Sequence, residues 1–139
     1  MTIYVVLGLI VLFFSFKIVL SIHYRLTLKQ IFKDQLMNDK EIHIKGVIYK
    51  IHYLSCSKNT QLRVNSYLFI ELMTPKQQKQ QLIPVNLKSP TLVITSPIVT
   101  KLRMVINENE ERFFSYQEKV YDSYIIPFDK LASFKEFLT

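Results

Sequence analysis

Three histidines and one cysteine are the side chains of this chain best suited to nucleophilic or metal chemistry. His52 and Cys56 are four residues apart and could meet as a general base and a thiol nucleophile. Together with His23 and His43 they could supply zinc ligands, but the four residues match no zinc-binding spacing. A base and a thiol four residues apart on a strand and a loop arise more often by chance than as a catalytic pair. We therefore predict neither a catalytic pair nor a metal site.

Carboxylates and glycines complete the search for a reactive centre. Glu108, Glu110 and Glu111 fall in one acidic turn, whereas a general acid and a general base must be held apart across a cleft. The two glycines, Gly8 and Gly46, are too far apart for a P-loop or a dinucleotide-binding fingerprint, because each needs glycines at close, fixed spacing. No serine lies in a nucleophile-elbow sequence. The sequence therefore predicts a protein that is not an enzyme, with no cofactor and no evident small-molecule substrate.

A mixture of basic and aromatic side chains is the main candidate for binding. On one face of a β-domain such residues could stack bases and neutralise phosphates. Tyrosines also favour strands, however, and lysines also keep a surface soluble. With eight Tyr and ten Phe in the chain, an aromatic protein interface is favoured over a nucleic-acid one. The predicted interaction surface comprises Lys17, Lys45, Tyr49, Lys50, Tyr53, Lys58, Arg63 and Tyr67.

An apolar segment from Ile3 to Ile22 determines where these residues act. Fifteen of its twenty positions are Leu, Ile, Val or Phe, and about 20 such residues cross a hydrocarbon core about 30 Å thick. Their insertion contributes on the order of −5 to −9 kcal/mol, against about +3 kcal/mol for one lysine. No basic region precedes the segment and no small-residue cleavage site follows it. We therefore predict an uncleaved transmembrane anchor at residues 1–24.

Lys17 is the one charged residue inside this segment. The simpler interpretation is that its ammonium group snorkels toward the membrane interface near His23, Tyr24 and Arg25. The alternative is an ion pair with an acidic residue on a partner's transmembrane helix. A buried helix of a soluble core is disfavoured for the whole segment, because its apolar residues surround the helix instead of forming one stripe.

The charge distribution predicts the topology and a lipid partner. Arg25, Lys29 and Lys33 follow the apolar segment closely, so the positive-inside rule places the C-terminal domain in the cytoplasm, or in the matrix of a mitochondrion. Residues 1–104 hold fourteen Lys or Arg against four Asp or Glu, a balance of +10. Residues 105–139 hold four against seven, a balance of −3, which restores the net charge of +7. This basic balance next to the membrane favours an anionic lipid surface as a partner.

The residues after the anchor divide into two predicted segments. Residues 25–38 form a juxtamembrane helix and residues 39–139 form one mainly-β domain, since about 115 residues suffice for one core and not for two. A single cysteine excludes an internal disulfide. The juxtamembrane segment is predicted to be helical because apolar residues recur at helical spacing. These residues are Leu28, Ile31, Phe32 and Leu36.

From Glu41 the apolar period changes to two, which is typical of a strand. Ile42 and Ile44 are followed by Val47 and Tyr49, so the phase slips by one residue at Gly46. A β-bulge or a sharp coil at the glycine would account for the slip. A long, bent first strand with a central glycine would be typical of an OB-fold.

Short strands separated by turns, then one terminal helix over Lys130 to Leu138, predict the fold class. We expect a small mainly-β domain, an antiparallel barrel or sandwich with an OB-like barrel as one form of it, between the anchor and a short C-terminal helix. Pro84 predicts that its strand lies at a sheet edge. The segment from Ser55 to Asn65 is predicted to be a loop.

Three functions are compatible with these features. The first is a non-enzymatic, single-pass accessory or structural subunit that docks on a larger membrane protein complex. The second is a membrane-bound binding protein with one dedicated target, as in toxin-neutralising immunity proteins. The third is a membrane-tethered, OB-like nucleic-acid binder, which is disfavoured as an explanation of the basic charge.

Overall fold

The computed structural model describes residues 1–38, 40–56, 60–74, 79–95, 101–107 and 109–138. The chain forms two compact units, Met1–Asp34 and Gln35–Thr139. The boundary between them lies four residues before residue 39, where the sequence predicts the start of the β-domain.

The first unit consists mainly of one helix, α1, which spans Thr2–Ile31. In the described part of the chain, it is the helix that is long and apolar enough to cross a membrane. The helix passes without a break through the predicted anchor and into the predicted juxtamembrane segment, and it ends where the Phe32 N–H donates to the Leu28 carbonyl oxygen at 2.9 Å. It is shorter than predicted, because Leu36–Asn38 form a strand instead of a last helical turn.

The second unit holds all the described strands, a single-turn 3₁₀ helix at Phe128–Lys130 and the helix α2 at Leu131–Leu138. In chain order the strands are β1 (Leu36–Asn38), β2 (Glu41–Ile44), β3 (Val47–Leu54), β4 (Gln61–Val64), β5 (Phe69–Thr74), β6 (Lys79–Pro84), β7 (Thr91–Thr95), β8 (Lys101–Asn107), β9 (Glu110–Phe113) and β10 (Tyr124–Pro127). The first sheet has the order β1-β2-β3-β7-β10 and the second sheet has the order β6-β5-β4-β8-β9. Pro84 ends the edge strand β6, as the sequence predicts.

Both sheets are mixed, since β3 and β10 pair in parallel with β7, and β4 pairs in parallel with β8. Parallel neighbours need a long crossover connection, which is usually a helix. Here strands of the opposite sheet form all or part of each crossover. The chain leaves β3 for β4, β5 and β6 before it returns to β7, and it passes through β7 between β6 and β8. The predicted sandwich with a C-terminal helix is confirmed. Its sheets are mixed, not purely antiparallel, and the described strands form two open sheets in place of a closed OB-like barrel.

Apolar side chains from both sheets form the main core. Alternate residues of the contributing strands point into it, because successive side chains of a strand face opposite sides of a sheet. Leu54, Val93 and Ile125 come from the first sheet, and Leu62, Val64, Ile70, Leu72 and Leu102 come from the second.

The opposite face of the first sheet carries a second apolar layer with α2. Phe134 of α2 is fully buried, and its ring centroid lies 5.0 Å from that of Tyr124, the neighbour of Ile125 in β10. Because both faces of this sheet are covered, every residue of the central strand β7 is buried. A strand buried on both sides is expected to be a continuous apolar run, and Thr91 to Thr95 (TLVIT) fits that pattern.

The Gly46 region differs from the prediction. Lys45 and Gly46 both have positive φ angles, 48° and 83°, and they connect the antiparallel pair of Ile44 and Val47. Positive φ at both central residues is typical of a two-residue type I′ hairpin. Gly46 therefore lies in a tight turn between two strands. The predicted bulge within one long strand is wrong, whereas the alternative of a sharp coil at Gly46 agrees with this turn. The two-residue turn separates the paired residues Ile44 and Val47 by three positions, an odd number. The alternation of apolar and polar residues therefore shifts by one position across the turn.

Candidate functional site

The outer face of the second sheet is formed by the residues that alternate with the core residues. Ile70 and Leu72 of β5 point into the core, so Phe69, Glu71 and Met73 point outward. The strand register then defines one row across all five strands of the sheet. The row runs Leu82, Glu71, Arg63, Arg103 and Phe113.

Paired charges occupy the centre of this row. Arg63 Nη2 lies 2.6 Å from Glu111 Oε1, and Arg63 Nε lies 3.8 Å from Glu71 Oε2. Arg103 Nη1 lies 3.8 Å from Glu111 Oε2. The Asn65 side-chain amide donates to Glu71 Oε1 at 3.0 Å. Two arginines are therefore matched by two carboxylates, and the network fixes their side chains on the sheet surface.

Exposed apolar side chains flank the charges at both edges of the sheet. Phe113 is 60% exposed and Leu82 is 54% exposed, although both lie in regular strands. Phe69 and Met73 are also exposed on this face, and the Arg103 guanidinium carbon lies 5.1 Å from the Phe113 ring centroid. Exposed apolar side chains gathered on one face mark interaction sites, and Phe, Met and Arg are enriched at protein interfaces.

Glu71 lies on the outward side of β5 and is nevertheless only 5% exposed. The side chains of Arg63 and Asn65 lie against its carboxylate. Hydrogen bonds and opposite charges are what allow a carboxylate to be buried at a tolerable cost. The centre of the outer face thus consists of paired polar side chains, with exposed apolar side chains at both edges.

The predicted interaction residues are not brought together on one face. Tyr49 is 3% exposed, and its ring centroid lies 6.0 Å from that of Tyr124. Burial raises the pKa of Tyr49, and the nearby charge of Asp122 raises it further. The Tyr49 ring belongs to the apolar layer under α2 and is not available for stacking on a base. Tyr53 is exposed on the same strand, β3.

The remaining members of the predicted surface are scattered. Lys45 is in the β2–β3 turn and Lys50 is exposed on β3. Arg63 is on the second sheet, in the charged row. Lys17 is on α1, with its Nζ atom 4.7 Å from the Phe13 ring centroid. Lys58 lies outside the described residues.

Tyr67 belongs to a separate aromatic cluster in the loops. Its ring meets that of Tyr121 edge-on, with 5.9 Å between centroids. The Lys88 Nζ atom lies 4.1 Å from the Tyr67 centroid, a cation–π contact. This lysine covers one face of the Tyr67 ring, so that face is not open to a ligand.

The candidate base, His52, is half-buried and the candidate thiol, Cys56, is buried. Burial lowers the pKa of His52, which favours its neutral form. Cys56 is buried, and its Sγ atom donates to the Leu54 carbonyl oxygen at 3.8 Å. Within the described ranges, no three His, Cys, Asp or Glu side chains are grouped closely enough to hold a metal ion.

Sequence reasoning missed most of the outer face. Phe69, Met73, Leu82, Arg103 and Phe113 were not among the predicted interaction residues. The alternation in β5 (FIELM) could have placed Phe69, Glu71 and Met73 on one side. The register that joins this side to β8 and β9 depends on β4, which the sequence predicts as a loop.

The fold and this face define a β-sandwich with an apolar N-terminal helix and an exposed amphipathic sheet face. Comparison with known proteins finds no matching family model, no matching curated protein and no matching solved structure. The function is therefore argued from the residues of the outer face and from α1.

Proposed function

We propose that this chain is a non-enzymatic, single-pass membrane protein, an accessory subunit whose β-sandwich docks on a larger membrane protein complex. The outer face of the second sheet carries the proposal. It presents Phe113 and Leu82 to solvent at its edges while its central charges are already paired with one another. Such a face offers apolar area to a partner, and its paired central charges avoid the larger cost of burying one charge without its counter-ion.

The helix α1 supports a membrane location for this function. None of its apolar 18-residue window is buried within the molecule. Apolar side chains exposed around the whole helix are stable in lipid and not in water. The domain that follows is proposed to lie on the cytoplasmic side, or the matrix side, because the basic residues follow the helix.

The balance of charge on the outer face favours a protein partner over nucleic acid. Arg63 and Arg103 are paired with Glu71 and Glu111, so the row is close to neutral. Nucleic-acid binding draws most of its affinity from cations that neutralise phosphates. Arginines already matched by carboxylates contribute little of this kind, and the buried Tyr49 ring supplies no stacking surface.

The test is the native mass and composition of the tagged full-length protein, extracted from its own membrane in mild detergent. We expect co-elution with larger membrane proteins in a fixed ratio. Phe113→Ser and Leu82→Ser should each lower the amount of co-eluting partner at least tenfold. The matched control is Ile48→Ser, which removes a side chain of similar exposure, 49%, from the first sheet and should leave the ratio unchanged.

Two outcomes would contradict this proposal. If the wild-type protein elutes alone from its own membrane, the chain is not a stable subunit. Capture of one soluble target by the eluted protein would then favour the dedicated binding protein. Equal loss in all three variants would mean that the outer face is not the docking surface.

A further inference from the structure

Lys17 has a position in the helix that the proposed docking surface does not explain. It is about 9 Å along the axis from His23, where the predicted interface begins, at 1.5 Å per residue. Its ammonium group lies 4.7 Å from the centroid of the Phe13 ring, one turn toward the N-terminus. The side chain thus extends toward the N-terminus, away from the interface at His23.

The opposite interface is too far for the ammonium group to reach. Thr2, at the start of α1, is about 22 Å from Lys17 along the axis, several times the length of a lysine side chain. In this conformation, with α1 across a bilayer, the charge lies in the hydrocarbon region. One cation–π contact contributes about 0.5–2 kcal/mol, less than the cost of about 3 kcal/mol for an unpaired lysine inside a span.

A complementary charge for Lys17 is missing from its own helix. No Asp or Glu occurs in the sequence before Asp34. A second, parallel copy of the chain would bring another Lys17 to the same depth, and the two like charges would repel. An Asp or Glu side chain on a different membrane protein would supply the complementary charge at this depth.

The face of α1 around Lys17 suits contact with another helix. Phe13 and Ser21 lie one turn to either side of Lys17, on the same side of the helix. Serine is enriched where membrane helices pack closely, because it is small and can form an interhelical hydrogen bond. Phe13 already holds the ammonium group on this face.

We propose that Lys17 forms an ion pair within the membrane with an Asp or Glu on a transmembrane helix of the partner complex. This inference rests on the proposed function and names the chemistry of the partner. The pair gives the complex a second contact, in the bilayer, that is independent of the outer face of the second sheet. It also explains the one charged residue within the apolar segment from Ile3 to Ile22.

The experiment compares Lys17→Met, Lys17→Arg and wild type as tagged full-length proteins extracted from their own membrane. Met keeps the length of the side chain and removes the charge, so we expect at least a tenfold loss of co-eluting partner. Arg keeps the charge, so most of the partner should be retained. Resistance to alkaline carbonate extraction should be equal for all three, which shows that the variants still insert.

A charge exchange identifies the pair. Lys17→Glu should lose the partner, and replacing the correct carboxylate of the partner helix with Lys should restore the complex. If wild type co-elutes with its partner and Lys17→Met does so equally, the ion pair is disproved while the proposed function stands. A change in retained lipid at an unchanged partner ratio would also disprove it, since Lys17 would then bind a lipid phosphate. Elution of wild type alone would instead remove the proposed function on which the inference rests.

Discussion

At the scale of single residues, Arg63 determines whether Glu71 is tolerable in its buried position. The Glu71 side chain is 7% exposed and the Arg63 side chain 32% exposed, so the ion pair is shielded on one side only. Removing one member of such a pair leaves the other charge without compensation, whereas replacing both with apolar groups is often neutral. The pair of Arg63 and Glu71 thus fixes side-chain positions on the second sheet and adds little net stability.

We predict that Arg63→Met lowers the free energy of unfolding by about 1–3 kcal/mol, because it leaves the Glu71 carboxylate poorly compensated. The double variant Arg63→Met with Glu71→Leu should recover most of this loss. Urea unfolding of the full-length protein in detergent, followed by tyrosine fluorescence, measures both. Lys101→Met, on the same face but exposed, is the control and should change stability by less than about 0.5 kcal/mol. Equal stability of the single and double variants would contradict this account.

At the scale of elements, the β2–β3 turn combines a favourable and an unfavourable residue. Gly46 accepts φ of 83° without strain, while Lys45 at φ of 48° does not. A residue with a side chain has a cost of roughly 1–2 kcal/mol in the left-handed region, and Asn pays less of it than Lys. Lysine is therefore not the residue type that this turn favours at position 45, although it places a charge on the surface.

Two substitutions in this turn should act in opposite directions. Gly46→Ala should destabilise the protein by about 1 kcal/mol. The cause is the backbone conformation alone, because no atom lies within 4 Å of the added Cβ. Lys45→Asn should stabilise it by up to about 1 kcal/mol, since Asn-Gly is the preferred pair for a type I′ turn. Lys50→Asn, within β3, is the control and should bring no gain. A loss of stability in Lys45→Asn would show that the turn is not of this type.

Elements with a strong local signal were predicted well, and those that depend on tertiary pairing were not. The short apolar run from Thr91 to Thr95, which lies between two prolines, has few alternatives to a strand and forms β7. The strand β4 was missed, since its four residues lie in a polar stretch and are held by β5 and β8 on either side. Without β4, the sequence could not show that Arg63 and Glu71 are cross-strand neighbours. The outer face was unpredictable for the same reason.

At the scale of the whole molecule, the crossovers make the two sheets depend on each other. The chain passes from β3 to β4 and again from β7 to β8, and each step changes sheet. The pairs β3–β7 and β4–β8 join strands that are far apart in sequence. Pairings between distant strands form late in folding. The entropy lost when the long connection is closed must be overcome before the contact stabilises the chain. Neither sheet is an independent unit, which suits a domain that presents one rigid face.

The orientation of the proposed membrane anchor also belongs to the scale of the whole molecule. We predict that sealed vesicles with the cytoplasmic side outward lose a C-terminal tag to added protease, whereas vesicles of the opposite orientation keep it until detergent is added. The reason is the cluster of Arg25, Lys29 and Lys33 immediately after the span, which favours retention on the cytoplasmic side. In a mitochondrion the matrix takes the place of the cytoplasm.

Charge near the span, and not total charge, should control this orientation. Arg25→Gln, Lys29→Gln and Lys33→Gln combined should give a mixture of both orientations, because they remove the bias next to the span. The control is Lys50→Gln with Lys88→Gln and Lys101→Gln, which removes the same charge beyond the 15–20 residues over which the rule acts. It should leave the orientation unchanged. Uniform protection of the wild-type tag in cytoplasmic-side-out vesicles would contradict the predicted topology. The outer face of the second sheet would then have to meet its partner on the opposite side of the membrane.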